Sequence, residues 1–219
     1  MTPCCRWLSI IVMLAVAPIK LLKLRRFLLR LAAGSAALLL SAAAFGCGRP
    51  FNVKTQAALP PAGYEAKASL DGIAVEAHAI TDEDFLYDTF DANLIAAGLL
   101  PVRVRLTNTG AEAVEVKRAR FEIEARARRF KSAEARKAFK RLISYYGISV
   151  YSKSGYNESL EAFASYALDV TTPLAGAQSR NGLVFFLVPA EATRQSGLTL
   201  VIGKLKSKSS DDKVSIKLN

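Results

Sequence analysis

Residues 101–116 read PVRVRLTNTGAEAVEV. Val102, Val104 and Leu106 alternate with Arg103, Arg105 and Thr107, the period of a strand with one face in a core and the other in water. Asn108-Thr109-Gly110 has turn chemistry, and Val114 and Val116 resume the alternation, so the stretch predicts a hairpin. Ala119, Phe121 and Ile123 continue the pattern one position out of step, which a bulge at Lys117-Arg118 would absorb.

On the upstream side, Ile73, Val75, Ala77 and Ala79 alternate with Glu76 and His78, predicting a half-buried strand between Lys67 and Ile80. Thr81 or Asp82 then caps a short helix whose apolar stripe is Phe85, Leu86 and Phe90. On the downstream side, KSAEARKAFKRLISYYG (131–147) sets Ala135, Phe139, Leu142, Ile143 and Tyr146 at helical spacing, with Ser132 to start the helix and Gly147 to end it. A second helix is expected over Glu158 to Ala167, burying Leu160 and Phe163. Beyond Thr172-Pro173 the strands return. GLVFFLVP (182–189) is a continuous apolar run and predicts a central strand, while GLTLVIGKL and DKVSIKL alternate and close the sheet. The sum is a mainly β chain of six or seven strands forming a two-sheet sandwich, with a two-helix insertion at about 131–167 between the third and fourth strands.

The pair LPVRVRLTNTGAEAVEV and TPLAGAQSRNGLVFFLVPAEATRQSGLTLVI is similar to the immunoglobulin-like domains of bacterial lipoproteins of the DUF4352 type. The matching elements are Thr107-Asn108 at a strand end, Pro173 to Gly176 as a turn, Gly182 to Pro189, and Leu198 to Leu200. The resemblance implies an immunoglobulin-like sandwich and a binding or structural role in the cell envelope. The helical insertion departs from the plain pattern.

The N-terminal quarter has a different grammar. Lys20 to Arg30 holds Lys20, Lys23, Arg25, Arg26 and Arg30, and Leu31 to Phe45 then carries no charge. A basic lead followed by a short apolar run is the layout of a bacterial export signal. The run ends in Ala44-Phe45-Gly46-Cys47, which resembles the lipobox of bacterial lipoproteins. The resemblance implies cleavage after Gly46 and diacylglyceryl transfer to the Cys47 thiol. On this reading 1–46 is a lipoprotein signal peptide with a signal helix, 47–63 a proline-bearing tether, and 64–219 the sandwich. Gly48 after the cysteine, rather than Asp, favours the outer membrane. Trp7 to Ile19 is a second uncharged run, so residues 1–12 read as a mis-assigned start with Met13 as the true one. The alternative is an integral membrane protein that keeps both runs, although a run this short is a poor span of a core that needs about 20 residues.

The formal charge of +11 belongs to the precursor. Residues 1–46 hold six of the 30 basic residues and no acid, leaving 24 against 19 acids, a net of +5. That balance argues against nucleic acid as a partner. Beyond Cys47 there is no cysteine, so the domain is held by its core and not by disulfides.

Catalytic and metal chemistry find few candidates, and the chain reads as a non-enzyme without cofactor. His78 is the lone histidine, too few for zinc. Asp82, Asp84, Asp88 and Asp91 could suggest calcium, but Tyr87 stands where an EF-hand needs Gly and Asn93 where it needs Glu. Ser210 and Lys213 have Ser-x-x-Lys spacing at the mouth of a strand instead of on a helix. A hydrolase alternative would require a pocket gathering His78, Asp88 and Asp91. Charge is unevenly spread: Glu65 to Asp91 holds eight acids, and Lys117 to Arg141 holds eleven Lys/Arg against three Glu. Arg118, Arg136, Lys137, Lys140 and Arg141 are the expected contact surface, either for anionic headgroups or for an unknown envelope protein.

Overall fold

The order of elements is β1 (Ala66–Leu70), β2 (Ile73–Ala79), α1 (Glu83–Phe90), β3 (Leu99–Asn108), β4 (Arg120–Ala125), β5 (Arg128–Ala133), α2 (Ala135–Tyr145), α3 (Lys153–Ala164), β6 (Ser179–Leu187), α4 (Ala190–Thr193), β7 (Leu198–Gly203) and β8 (Lys213–Leu218). The structure is a computed structural model that describes residues 51–54, 64, 66–125, 127–148, 152–193, 197–205 and 213–218. The described residues all belong to one compact unit within Gly48–Asn219. The signal segment with its expected helix, Gly46, Cys47 and most of the tether therefore lie outside the described residues. No helix among the described residues is long and apolar enough to cross a membrane.

Among the described residues every pairing between these strands is antiparallel, in the order β1-β2-β3-β6-β5-β4-β7-β8. β5 is the corner. Lys131 pairs with Glu122 of β4, whereas Ser132 and Ala133 pair with Phe186 and Phe185 of β6. One sheet is thus β1-β2-β3-β6 and the other β5-β4-β7-β8. The chain crosses between them after β3, β5 and β6, which is the A-B-E against C′-C-F-G arrangement of an immunoglobulin-type sandwich with β1 added at one edge. The outermost strands β1 and β8 lie beside one another.

Alternation decides which faces meet. Ile73, Val75, Ala77 and Ala79 of β2 and Val102, Val104 and Leu106 of β3 are buried on the inner face of the first sheet. Phe121, Ile123, Leu200, Ile202, Val214 and Ile216 supply the second. Glu76, His78, Arg103 and Arg105 stand on the outer face of the first sheet, as does Phe185, which lies opposite Pro101. There the helices form a third layer. Phe163 of α3 stacks on Phe185 with centroids 4.7 Å apart, and Phe163 also meets Phe90 of α1 and Phe139 of α2 at 5.5 Å. Aromatic edges and faces of this kind stabilise beyond the area they bury.

Several sequence expectations change. The 101–116 hairpin is absent: β3 pairs with β2 and β6, and residues 109–119 cross to the other sheet, with Val114 bridging Leu174. Asn108 is why. Its buried amide donates to the carbonyls of Glu112, Leu174 and Ala175 and accepts from Gly110 N, so the turn faces the loop before β6 instead of folding back on β3. Lys117-Arg118 is a turn and not a bulge. The predicted strand at Lys67–Ile80 is two strands joined at Asp71-Gly72, whose φ values of 50° and 77° suit a tight hairpin turn. The helical insertion follows the fifth strand, because Arg128–Ala133 is itself a strand. Ser132 lies in that strand, and Glu134 precedes α2 without a side-chain cap. The second insert helix begins at Lys153, where Ser152 Oγ accepts from Gly155 N, and ends at Ala164. By contrast, Asp82 caps α1 as expected, accepting from Asp84 N and Phe85 N, and 182–187 runs centrally between β3 and β5.

Phe51 to Lys54, read from the sequence as tether, belong to the helical layer. Phe51 and Val53 are buried, Asn52 N donates to Asp91 Oδ2, Lys54 N donates to Thr89 O, and Ser159 Oγ donates to Phe51 O. Tyr166 Oη donates to Lys54 O at 2.7 Å. Burial of one aromatic and one β-branched side chain offsets the conformational freedom this segment gives up.

Candidate functional site

The cationic residues singled out in the sequence converge mainly on α2. Its inward side buries Ala138, Phe139 and Leu142, and a spacing of three to four residues leaves Arg136, Lys137, Lys140 and Arg141 exposed on the other side. The helix contains no acid, so nothing within it offsets these four charges. Arg141 is partly pinned, its Nε donating to Ala97 O at 2.9 Å, and it borders a shallow cleft of about 570 Å³ with Gly98, Leu187, Val188, Pro189 and Glu191. Arg118 is exposed as well, but it stands on the separate turn before β4.

The structure adds residues that the charge pattern did not reveal. Tyr87 of α1 and Tyr145 of α2 are the large hydrophobic side chains exposed among the described residues, at 50% and 49%. Both flank Tyr146: Tyr145 meets it edge-on at 5.1 Å, and Tyr87 lies beside its hydroxyl. Tyr146 also accepts from Asn93 N at 2.9 Å, and burial with the Tyr87 contact pushes its hydroxyl up to about 12. Phe51 packs edge-on to Tyr146 at 5.5 Å and to Phe139 at 6.4 Å. The tyrosines and the cations therefore adjoin the place where the chain enters its domain. Spacing of aromatics along the sequence could have flagged Tyr145-Tyr146; nothing local could have linked them to Phe51.

The other candidate residues stand on separate elements of the fold. His78 lies on β2 opposite Arg103 on the outer face of the first sheet, and Asp88 and Asp91 are on and just after α1. Among the described residues no three His, Cys, Asp or Glu side chains group as a metal site. Asp82 is engaged as a helix cap and Asp91 as the acceptor for Asn52 N. Lys213 opens β8, and Ser210 lies outside the described residues. Lys213 instead borders a second shallow cleft, about 220 Å³, with Arg120, Glu122 and Lys204.

Away from α2, two carboxylates are held by neighbours. Glu76 lies opposite Lys67 and Arg105 in the ladders and binds both, at 2.9 and 3.1 Å, which lowers its pKa. Arg105 in turn covers the ring of Tyr64 at 4.3 Å. Asp169 accepts from the hydroxyls of Thr171 and Thr172 and from Thr171 N, with Arg180 nearby, and is held well below the usual carboxylate range.

No family model matches the chain. No curated protein matches it significantly. Among solved structures it is similar to ycdA of Bacillus subtilis, described as a candidate lipoprotein, with 14% identity, a TM-score of 0.35, and coverage of 68% of this chain and 37% of that one. It is also similar to an uncharacterised β-sandwich protein of Clostridium difficile, with 10% identity, a TM-score of 0.33 and coverage of 68% and 87%. A third is a Listeria monocytogenes protein of unknown function, with 7% identity, a TM-score of 0.36 and coverage of 69% and 79%. The chain spans little more than a third of the length of ycdA.

Proposed function

We propose that this protein is a lipid-anchored, extracytoplasmic, non-enzymatic module of the bacterial cell envelope, with its immunoglobulin-like sandwich displayed from Cys47. The observation that carries the reading is the layout of residues 20–47: five cations, fifteen residues without charge, then Gly46-Cys47. One acyl chain holds a protein marginally, and the several chains of a lipoprotein cysteine hold it stably. Gly48 favours the outer membrane. The cationic face of α2 is the binding surface, with Arg118 as an outlying contributor.

Metabolic labelling with an alkyne analogue of palmitate tests the anchor. The wild-type chain takes up label and its intact mass begins at Cys47, while Cys47→Ala takes up none and stays at precursor mass. A labelled or fully processed Cys47→Ala protein overturns the reading.

A further inference from the structure

We infer that the domain lies flush on an anionic leaflet with α2 facing the lipid, its Arg136, Lys137 and Lys140 on the headgroups and Tyr87 and Tyr145 at the interface; this rests on the lipid anchor proposed at Cys47. Three independent observations meet at one place. The first is reach. Cys47 precedes Phe51 by four residues, so their Cα atoms are at most about 14 Å apart in any conformation. Because Phe51 to Lys54 are built into the helical layer by burial and four hydrogen bonds, no long tether intervenes between the acyl chains and this side of the domain.

The second is charge. Among the three helices of this layer only α2 presents a cationic face. α1 exposes Asp84 and Asp88, and α3 exposes Glu158 and Glu161. An anionic surface attracts the first and repels the other two, so it selects one tilt of the domain. The third is the pair of exposed tyrosines. Amphipathic rings with polar tips favour the level of the headgroups, and these two flank Tyr146, which touches Phe51. The second sheet, across the sandwich from the helices, then faces away from the membrane, leaving the outer surface of β8 in water.

The test places one fluorophore on the lipidated full chain, at Ser144→Cys on the exposed side of α2 or at Ser215→Cys on the exposed side of β8. The protein is reconstituted into phosphatidylcholine vesicles containing phosphatidylglycerol and a headgroup nitroxide lipid. The expected result is severalfold stronger quenching at position 144 than at 215. That difference should shrink in pure phosphatidylcholine, in 0.5 M salt, and in the Arg136→Glu/Lys137→Glu/Lys140→Glu variant, each lost cation weakening the contact about fivefold. Equal quenching at the two positions, or a difference unmoved by charge reversal, overturns the orientation. Palmitate labelling of the same samples separates the two readings. Label with equal quenching overturns the orientation alone, and no label overturns the anchor together with it.

Discussion

Phe51 and Tyr146 stand edge to face, their ring centroids 5.5 Å apart and their planes at 80°, although 95 positions separate them in the chain. This contact joins Phe51 to the end of α2, and so ties the segment 51–54 to the helix that carries the cationic face.

Removing it should be costly. Phe51→Ala empties a site bordered by Phe139 and Tyr146 and should lower the unfolding free energy by about 3–5 kcal/mol. Urea denaturation followed by circular dichroism measures this. A loss below about 1 kcal/mol would mean that residues 51–54 are peripheral to the fold.

Asn108 holds the crossover between the sheets. Asn108→Ala leaves the carbonyls of Glu112, Leu174 and Ala175 and the amide of Gly110 without this partner, and a buried polar group left unsatisfied costs about 1–3 kcal/mol. Asn108→Asp keeps the acceptor but loses the donors and should also destabilise. Chemical melts that show either variant at wild-type stability would contradict the role given to this side chain.

Gly182 has no room for a methyl group. A Cβ there would come within 2.5 Å of Leu168 Cα and 2.6 Å of Leu168 N, where Leu168 N donates to Leu183 O. Gly182→Ala should therefore destabilise by about 1–3 kcal/mol, the usual cost of overpacking. Faster hydrogen exchange at Leu168 and Leu183 should accompany the loss, whereas an unaltered exchange pattern would argue against close packing here.

The acid limb of stability should depend on Glu76 and Asp169. Both have pKa values lowered on folding, Glu76 chiefly by its bond from Lys67 and Asp169 chiefly by the Thr171 hydroxyl. A depressed carboxyl contributes stability that is fully present above its unfolded pKa and is lost as pH falls through the folded value. Denaturant midpoints measured from neutral pH downward should fall less steeply for Asp169→Asn and Glu76→Gln than for wild type, below the ordinary carboxylate range. Parallel curves for all three proteins would show that neither carboxylate is linked to folding.

Much of the sandwich is legible in single strands, because a period of two survives without knowledge of neighbours. Val102, Val104 and Leu106 declare their buried face, and GLVFFLVP declares a strand covered on both sides, since helices lie on one and the second sheet on the other. β5 is not legible. Its sequence RRFKSA carries neither alternation nor an apolar run, because at the corner only Phe130 and Ala133 turn partly inward. The cationic face of α2 is visible as a helical stripe, but the tyrosines that border it belong to two helices and acquire meaning only when those helices meet.

By itself, then, the order of residues determined the β class, the two insert helices and the charges of α2, all of which depend on spacings within about a dozen positions. Tertiary structure alone decided that Asn108 begins a crossover instead of a hairpin, that β5 belongs to both sheets, and that Phe51 lies in the core. The reason is physical. Backbone amides and carbonyls are alike in every strand, so pairing partners are chosen by which distant side chains bury one another, and that choice is made only when the chain closes on itself.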